Sequence, residues 1–215
     1  MAAPPQTSQP VSWPLSWISR WHHAFVFERR TRVLAEMLAA QIPQRASVLD
    51  IGCGDGTIAS LIAQLRPDLS IQGVEFLVRP DCKIACRAFD GSSLPFPDAS
   101  FDVCFLVDVL HHTQDPAVLL REAVRVSRSF VLLKDHLDEN VFDDVTLRFM
   151  DWVGNRPHGV VLTYNYKSRK EWAEHFSKCG LEEVSWTTQV PLYPPPFSLV
   201  VGRGLHFASL LKKRE

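Results

Sequence analysis

The sequence has no run of about 18 apolar residues, so nothing in it reads as a membrane span. It has no excess of charge either: 23 Lys and Arg against 24 Asp and Glu leave a formal net charge of -1. Nucleic-acid partners are therefore not expected, since they require a basic face. The short run Lys212-Lys213-Arg214 reads as a solvated tail. Cysteine is sparse and odd in number, at five, with no CxxC pair, which argues against a closed disulfide framework. Cys82 and Cys86 lack a second pair at zinc-ligand spacing, so no metal site is expected. Cys53 and Cys104 stand in apolar surroundings and read as small buried thiols. A reducing, cytoplasmic setting is the expectation. Residues 1–10 lack a basic region followed by an apolar one, so they do not read as a secretory signal. Their Pro, Ser and Gln content predicts disorder.

What is present is enough apolar material, 46% of 215 residues, for one domain with a sizeable core. Short apolar strands alternate with periodic helices. Strands are expected at 47–51, 70–74, 84–89, 101–107 and 129–134, with helices near 57–65 and 116–126. This alternation predicts an α/β fold with a parallel sheet and helices on both faces. A helix is expected over 21–40, ended by Pro43. Another is expected over 141–153, and a third from the capping box Ser168/Glu171 to Lys178, stopped by Gly180. Two final strands fall near 182–189 and 205–211. Residues 1–20 read as a flexible or lid-forming segment, and 21–215 as one domain. Trp13, Trp17 and Trp21 fall four apart, which suits packing on the domain, a lid or a membrane-surface contact. Pro14 and the scarcity of cations favour packing.

The densest chemical signal is Asp50-Ile51-Gly52-Cys53-Gly54-Asp55-Gly56-Thr57, a glycine-rich turn between a buried strand and a helix. Glycine turns sharply and leaves no Cβ between backbone and ligand. The spacing does not match Gly-x-Gly-x-x-Gly, because the third glycine comes one place early. No Lys-Ser/Thr follows, which excludes a Walker loop. Asp55 would repel a pyrophosphate and tolerate a cationic ligand.

This segment resembles the first motif of class I S-adenosylmethionine-dependent methyltransferases, especially the small enzymes related to ubiquinone and menaquinone biosynthesis. Glu75 in Gly73-Val74-Glu75, Asp90-Gly91, Leu94 to Asp102, and Leu106 to His112 with Asp115-Pro116 resemble that family's later motifs in order. The resemblance covers about residues 46–133. It implies a Rossmann-like fold whose seven-stranded sheet is mostly parallel with the last strand antiparallel. It also implies S-adenosylmethionine as cofactor, held by Asp50, Gly52, Cys53, Gly54, Glu75, Asp90, Gly91 and Val107. Glu75 would hold the ribose hydroxyls and Asp90 the adenine amine. One departure stands out. Fourteen residues separate Glu75 from Asp90, too few for the family's usual helix and strand, so the helix is expected to be lost or reduced to a turn. Arg79 and Asp81 then compete for polar contacts there.

Ligands of a doubly wound sheet sit beyond its strand ends. Asp108, His111, His112, Lys134, Asp135 and His136 fall there. Methyl transfer needs in-line alignment and removal of a proton from the acceptor, which a neutral imidazole suits. His136 is the first candidate base, followed by His111 and His112. Residues 139–167 read as a substrate cover, with Trp152, His158, Tyr164 and Tyr166 as candidate contacts to a small hydrophobic or aromatic acceptor. Each could equally be a packed connector residue. Two other classes remain open: a cofactor-binding partner or regulatory subunit without turnover, and an NAD-dependent oxidoreductase, which the glycine spacing disfavours.

Overall fold

The computed structural model describes residues 16–155, 163–195, 198, 202 and 204–214. Helix α1 (Ser16–Ala39) leads into β1 (Ser47–Ile51), α2 (Thr57–Leu65), β2 (Ser70–Glu75), β3 (Cys86–Ala88) and β4 (Phe101–Val107). A single 3-10 turn at Leu110–His112 precedes α3 (Pro116–Val126), β5 (Ser127–His136), α4 (Val141–Asn155), α5 (Arg169–Lys178), β6 (Leu181–Thr187) and β7 (His206–Lys213). The seven strands form one sheet in the order β3-β2-β1-β4-β5-β7-β6. Pairs from β3 through β5 are parallel, and β7 runs antiparallel to both β5 and β6. This is the α/β, Rossmann-like architecture expected from the sequence.

Period-two alternation divides the core. On β4, Val103 and Phe105 face a layer made with Ala35 and Leu38 of α1 and Ala59 and Ile62 of α2. Their neighbours Cys104 and Leu106 face the opposite layer, where Leu119, Leu120 and Ala123 of α3 meet Trp172 and Phe176 of α5. Two helix starts follow local chemistry. The Asp115 carboxylate accepts from the Ala117 amide with Pro116 in the first turn. Ser168 and Glu171 complete a reciprocal capping box on α5.

Several boundaries differ from the sequence reading: β7 takes in Lys212 and Lys213, read above as a solvated tail, because it pairs with β5 and β6 there, and three further differences bear on the site. α1 begins at Ser16, inside the stretch read as a separate N-terminal segment. β3 keeps only Cys86–Ala88, and residues 76–85 join it to β2 through turns without a helix, as the short spacing implied. β5 reaches His136 rather than Lys134, because its antiparallel ladder with β7 continues to the pair His136–His206. Asp135 and His136 are therefore strand residues with alternating, fixed directions.

Trp172 is fully buried and its indole donates to the His136 carbonyl at 3.1 Å. Trp172→Ala is expected to lower unfolding stability by about 3–5 kcal/mol, read from urea denaturation. A loss below about 1 kcal/mol would show that this layer is not the main core.

Candidate functional site

The strand order reverses between β2 and β4, on either side of β1, so the C-terminal ends of β1 and β4 open a crevice. The glycine turn lies there, with φ of +75° at Gly52, +59° at Gly54 and +72° at Gly56. At Gly54 an added Cβ would meet nothing within 4 Å, so the left-handed backbone alone calls for glycine. Gly52 and Cys53 both donate their amides to the Val74 carbonyl, at 2.9 and 3.1 Å. The next amide, Gly54, donates to Glu75 Oε2 at 2.6 Å, while Phe76 N donates to Oε1 at 2.8 Å. The turn and the Glu75 carboxylate are thereby locked side by side.

Asp50 is buried beneath this turn, and burial together with the charge of Glu75 holds its carboxyl well above the usual carboxylate range. Asp90 closes its own turn, accepting from Ser92 N, Ser92 Oγ and Ser93 N at 2.6–2.9 Å. Those amide donors lower its pKa. Gly91, at φ +84°, lies beside the exposed ring of Phe76, 3.6 Å from where its Cβ would stand. Val107 ends β4 opposite Lys134. The Cys53 thiol lies against Gly73 and Cys86, so Cys53 offers the crevice its backbone.

Beyond the ends of β4 and β5 stands a second, buried polar cluster. Asp108, at φ +57°, is paired with Arg30 from α1 and with Lys134 from β5. Burial opposes its ionisation, yet these two cations hold its carboxyl well below the ordinary range. Asp135 Oδ1 receives His111 Nδ1 at 2.6 Å and the His136 amide at 2.7 Å, and Oδ2 receives the Leu110 amide at 3.0 Å. The other ring nitrogen of His111 lies 3.6 Å from Asp151 Oδ2, which also accepts from the Tyr166 hydroxyl at 2.5 Å.

Burial works against a charge on His111, but Asp135 and Asp151 raise its pKa above the ordinary value. His136 moves the other way, lowered by burial and then by the His111 charge, with its Nδ1 3.2 Å from His111 Nδ1. His112 is brought down to about 4 by burial and the same charge. His206 is kept well below its ordinary value by burial and then by Lys134, which lies 3.2 Å from its Nδ1. The cluster thus favours a proton on His111, between Asp135 and Asp151, and disfavours one on His136.

The sequence profile described as "Methyltransferase domain" matches residues 20–185. The chain belongs to the methyltransferase domain family. Its curated relatives include 27-O-demethylrifamycin SV methyltransferase of Amycolatopsis mediterranei, 32% identical over 52% of this chain and 48% of that protein. They also include 2-methyl-6-phytyl-1,4-hydroquinone methyltransferase of Synechocystis, 33% identical over 71% of this chain and 52% of that protein. The chain spans about half the length of these relatives. In fold it is similar to an S-adenosylmethionine-dependent methyltransferase of Mesorhizobium loti, at a TM-score of 0.62 and 16% identity, covering 83% of this chain and 96% of that one.

S-adenosylmethionine is the cofactor of this family, and the residues of the methyltransferase crevice fit it. Glu75 brings an acceptor carboxylate to the end of β2, and the open backbone at Gly54 admits close approach. Buried Asp50 suits a cationic group nearby. Of the expected acceptor-side residues, His111, His136 and Tyr166 are brought together, with the Tyr166 ring 5.8 Å from His111 and 5.7 Å from His136. Tyr164 takes φ +51° with Arg148 over its ring at 4.9 Å, and Trp152 packs beside Phe149 on α4. His158 lies outside the described residues. Arg30, Asp151 and His206 belong to the cluster and carried no local signal, because each joins it from a remote element.

His112, His136 and His206 are held neutral when folded and return to an ordinary pKa of about 6.5 on unfolding. The unfolded chain then binds more protons below that pH, so these three groups lower stability as pH drops; His111 and Asp50, with raised pKa values, oppose the trend. Urea midpoints at pH 7.5, 6.5 and 5.5 are expected to decline. His206→Asn should flatten the decline by at most about 1.4 kcal/mol per pH unit. A midpoint that rises on acidification would contradict this charge assignment.

Proposed function

We propose that the chain transfers a methyl group from S-adenosylmethionine to a hydroxyl or amine on a small hydrophobic or aromatic acceptor. The observation that carries this reading is a pair of polar sites at the C-terminal edge of the parallel strands, with the Gly54–Glu75 lock after β1 and His136 at the end of β5. When bound, the cofactor supplies an electrophilic methyl on sulfur. Glu75 would take the ribose hydroxyls, exchanging its two amide donors for hydroxyl donors in part. Asp50 would balance positive charge at the methionine end, and Phe76 with Gly91 would flank the adenine.

On the acceptor side, His136 would receive the proton released as the acceptor attacks. Its Nδ1 lies 3.4 Å from Asp135 Oδ1, and an Nδ1–H donated to that carboxylate would leave the Nε2 lone pair for the acceptor. His111 is less suited to that task, because Asp135 and Asp151 favour its protonated form and engage its ring nitrogens. Its role is positioning. The apolar side of the acceptor would meet Tyr164, Tyr166 and Trp152, with His158 a further candidate. The hydroquinone named for the Synechocystis relative, a hydroxylated ring with a long apolar substituent, supports that acceptor class.

Calorimetry with S-adenosylhomocysteine should show binding that Glu75→Ala weakens about tenfold or more, as expected for lost charge-assisted hydrogen bonds. Absence of binding to folded wild-type protein would defeat the assignment. With labelled cofactor and a panel of phenols and hydroquinones, His136→Asn should lower kcat by about 10²–10⁴-fold while leaving cofactor affinity unchanged. An unaltered kcat would remove His136 from proton transfer.

A further inference from the structure

Three half-buried thiols converge behind the glycine turn: Cys53 in the turn itself, Cys82 in the helix-free connection 76–85, and Cys86 at the start of β3. Their sulfur atoms all lie within 4.8 Å of one another, and Cys53 and Cys86 are 3.4 Å apart. Missing side chains make the room. A Cβ on Gly73 would stand 2.6 Å from Cys53 Sγ, and one on Gly56 would stand 3.2 Å from Cys82 Sγ. Gly73 has no left-handed φ to account for it, so space for the thiol is what this position requires.

The surroundings are acidic. Asp50 and Glu75 stand near the thiols. Three sulfur donors beside two acidic side chains suit a soft, thiophilic dication. Three thiolates around one such ion, with metal–sulfur bonds of about 2.3 Å, place their sulfurs about 4 Å apart. The Cys53–Cys86 separation of 3.4 Å, with all three sulfurs within 4.8 Å of one another, is compatible with that spacing.

We propose that Cys53, Cys82 and Cys86 form a three-thiolate site for a thiophilic divalent cation such as zinc, with solvent in the fourth position. Binding breaks three S–H bonds, forms three S–metal bonds and releases the protons to solvent; no electron is transferred. The ion ties the connection 76–85 to the glycine turn, doing mechanically what the missing helix would otherwise do. The site stands independently of the methyl-transfer reading, and none of its tests uses the cofactor.

Reduced, chelator-treated protein titrated with Cd²⁺ should develop thiolate-to-cadmium absorption in the ultraviolet, saturating at one ion per chain and competed by Zn²⁺. Proton release should accompany it. Cys82→Ser should weaken binding at least tenfold, while Cys179→Ser, outside the cluster, should leave it unchanged. Zn²⁺ should raise the Tm of the wild type and not that of Cys82→Ser. Circular dichroism confirms that each variant is folded. The proposal is overturned by absence of the band, by binding insensitive to Cys82→Ser (which would put the ion on other groups, such as His111 and Asp135), or by a Cys53–Cys86 disulfide that persists under reductant in place of the ion.

Discussion

A buried carboxylate held charged by two cations from two other elements is the constraint on which the acceptor side depends. Asp108 leaves the end of β4 in a left-handed conformation and meets Arg30 of α1 and Lys134 of β5. Burying a charge is costly unless it is paired, and each member here would be destabilising alone. The three therefore act together. They tie the N-terminal helix to the sheet and fix the direction in which the chain departs toward His111 and His112. Asp108 shows the left-handed φ that Asp tolerates better than most residues, which lets the chain turn without a glycine at this point.

Around that centre, proton positions are set by competition for carboxylates. Asp135 accepts one imidazole and two backbone amides, so its charge is well satisfied inside the core. His111 sits between Asp135 and Asp151 and keeps a proton; its charge then discourages one on His136 and His112. Two neighbouring histidines of the same intrinsic chemistry thus take opposite states. The cofactor side shows the complementary arrangement, with Glu75 near buried Asp50 and, among the described residues, no cation paired with Asp50.

The shortened crossover between β2 and β3 gives the molecule its individual character. Removing a helix from a parallel crossover exposes Phe76, Leu77 and Val78 and leaves the β3 edge with only three residues. The same shortening brings Cys82 beneath the glycine turn, a juxtaposition that a full helix would displace. Sequence spacing alone treats Cys82 and Cys86 as an isolated pair, since the third sulfur, Cys53, arrives from the glycine turn after β1.

The sequence by itself determined the alternation of strands and helices, the glycine turn, the acid at 75 and the loss of the crossover helix. Each of these is written in local periodicity or in a count of residues between landmarks. It also marked His111, His136 and Tyr166 as members of one site. Only the tertiary structure decided that β5 extends through His136, because that depends on the partner strand β7. It alone recruited Arg30, Asp151 and His206, and it alone separated a charged His111 from a neutral His136. Protonation inside a core follows from distances to groups remote in sequence, through burial and Coulomb interaction, and no local pattern encodes those distances.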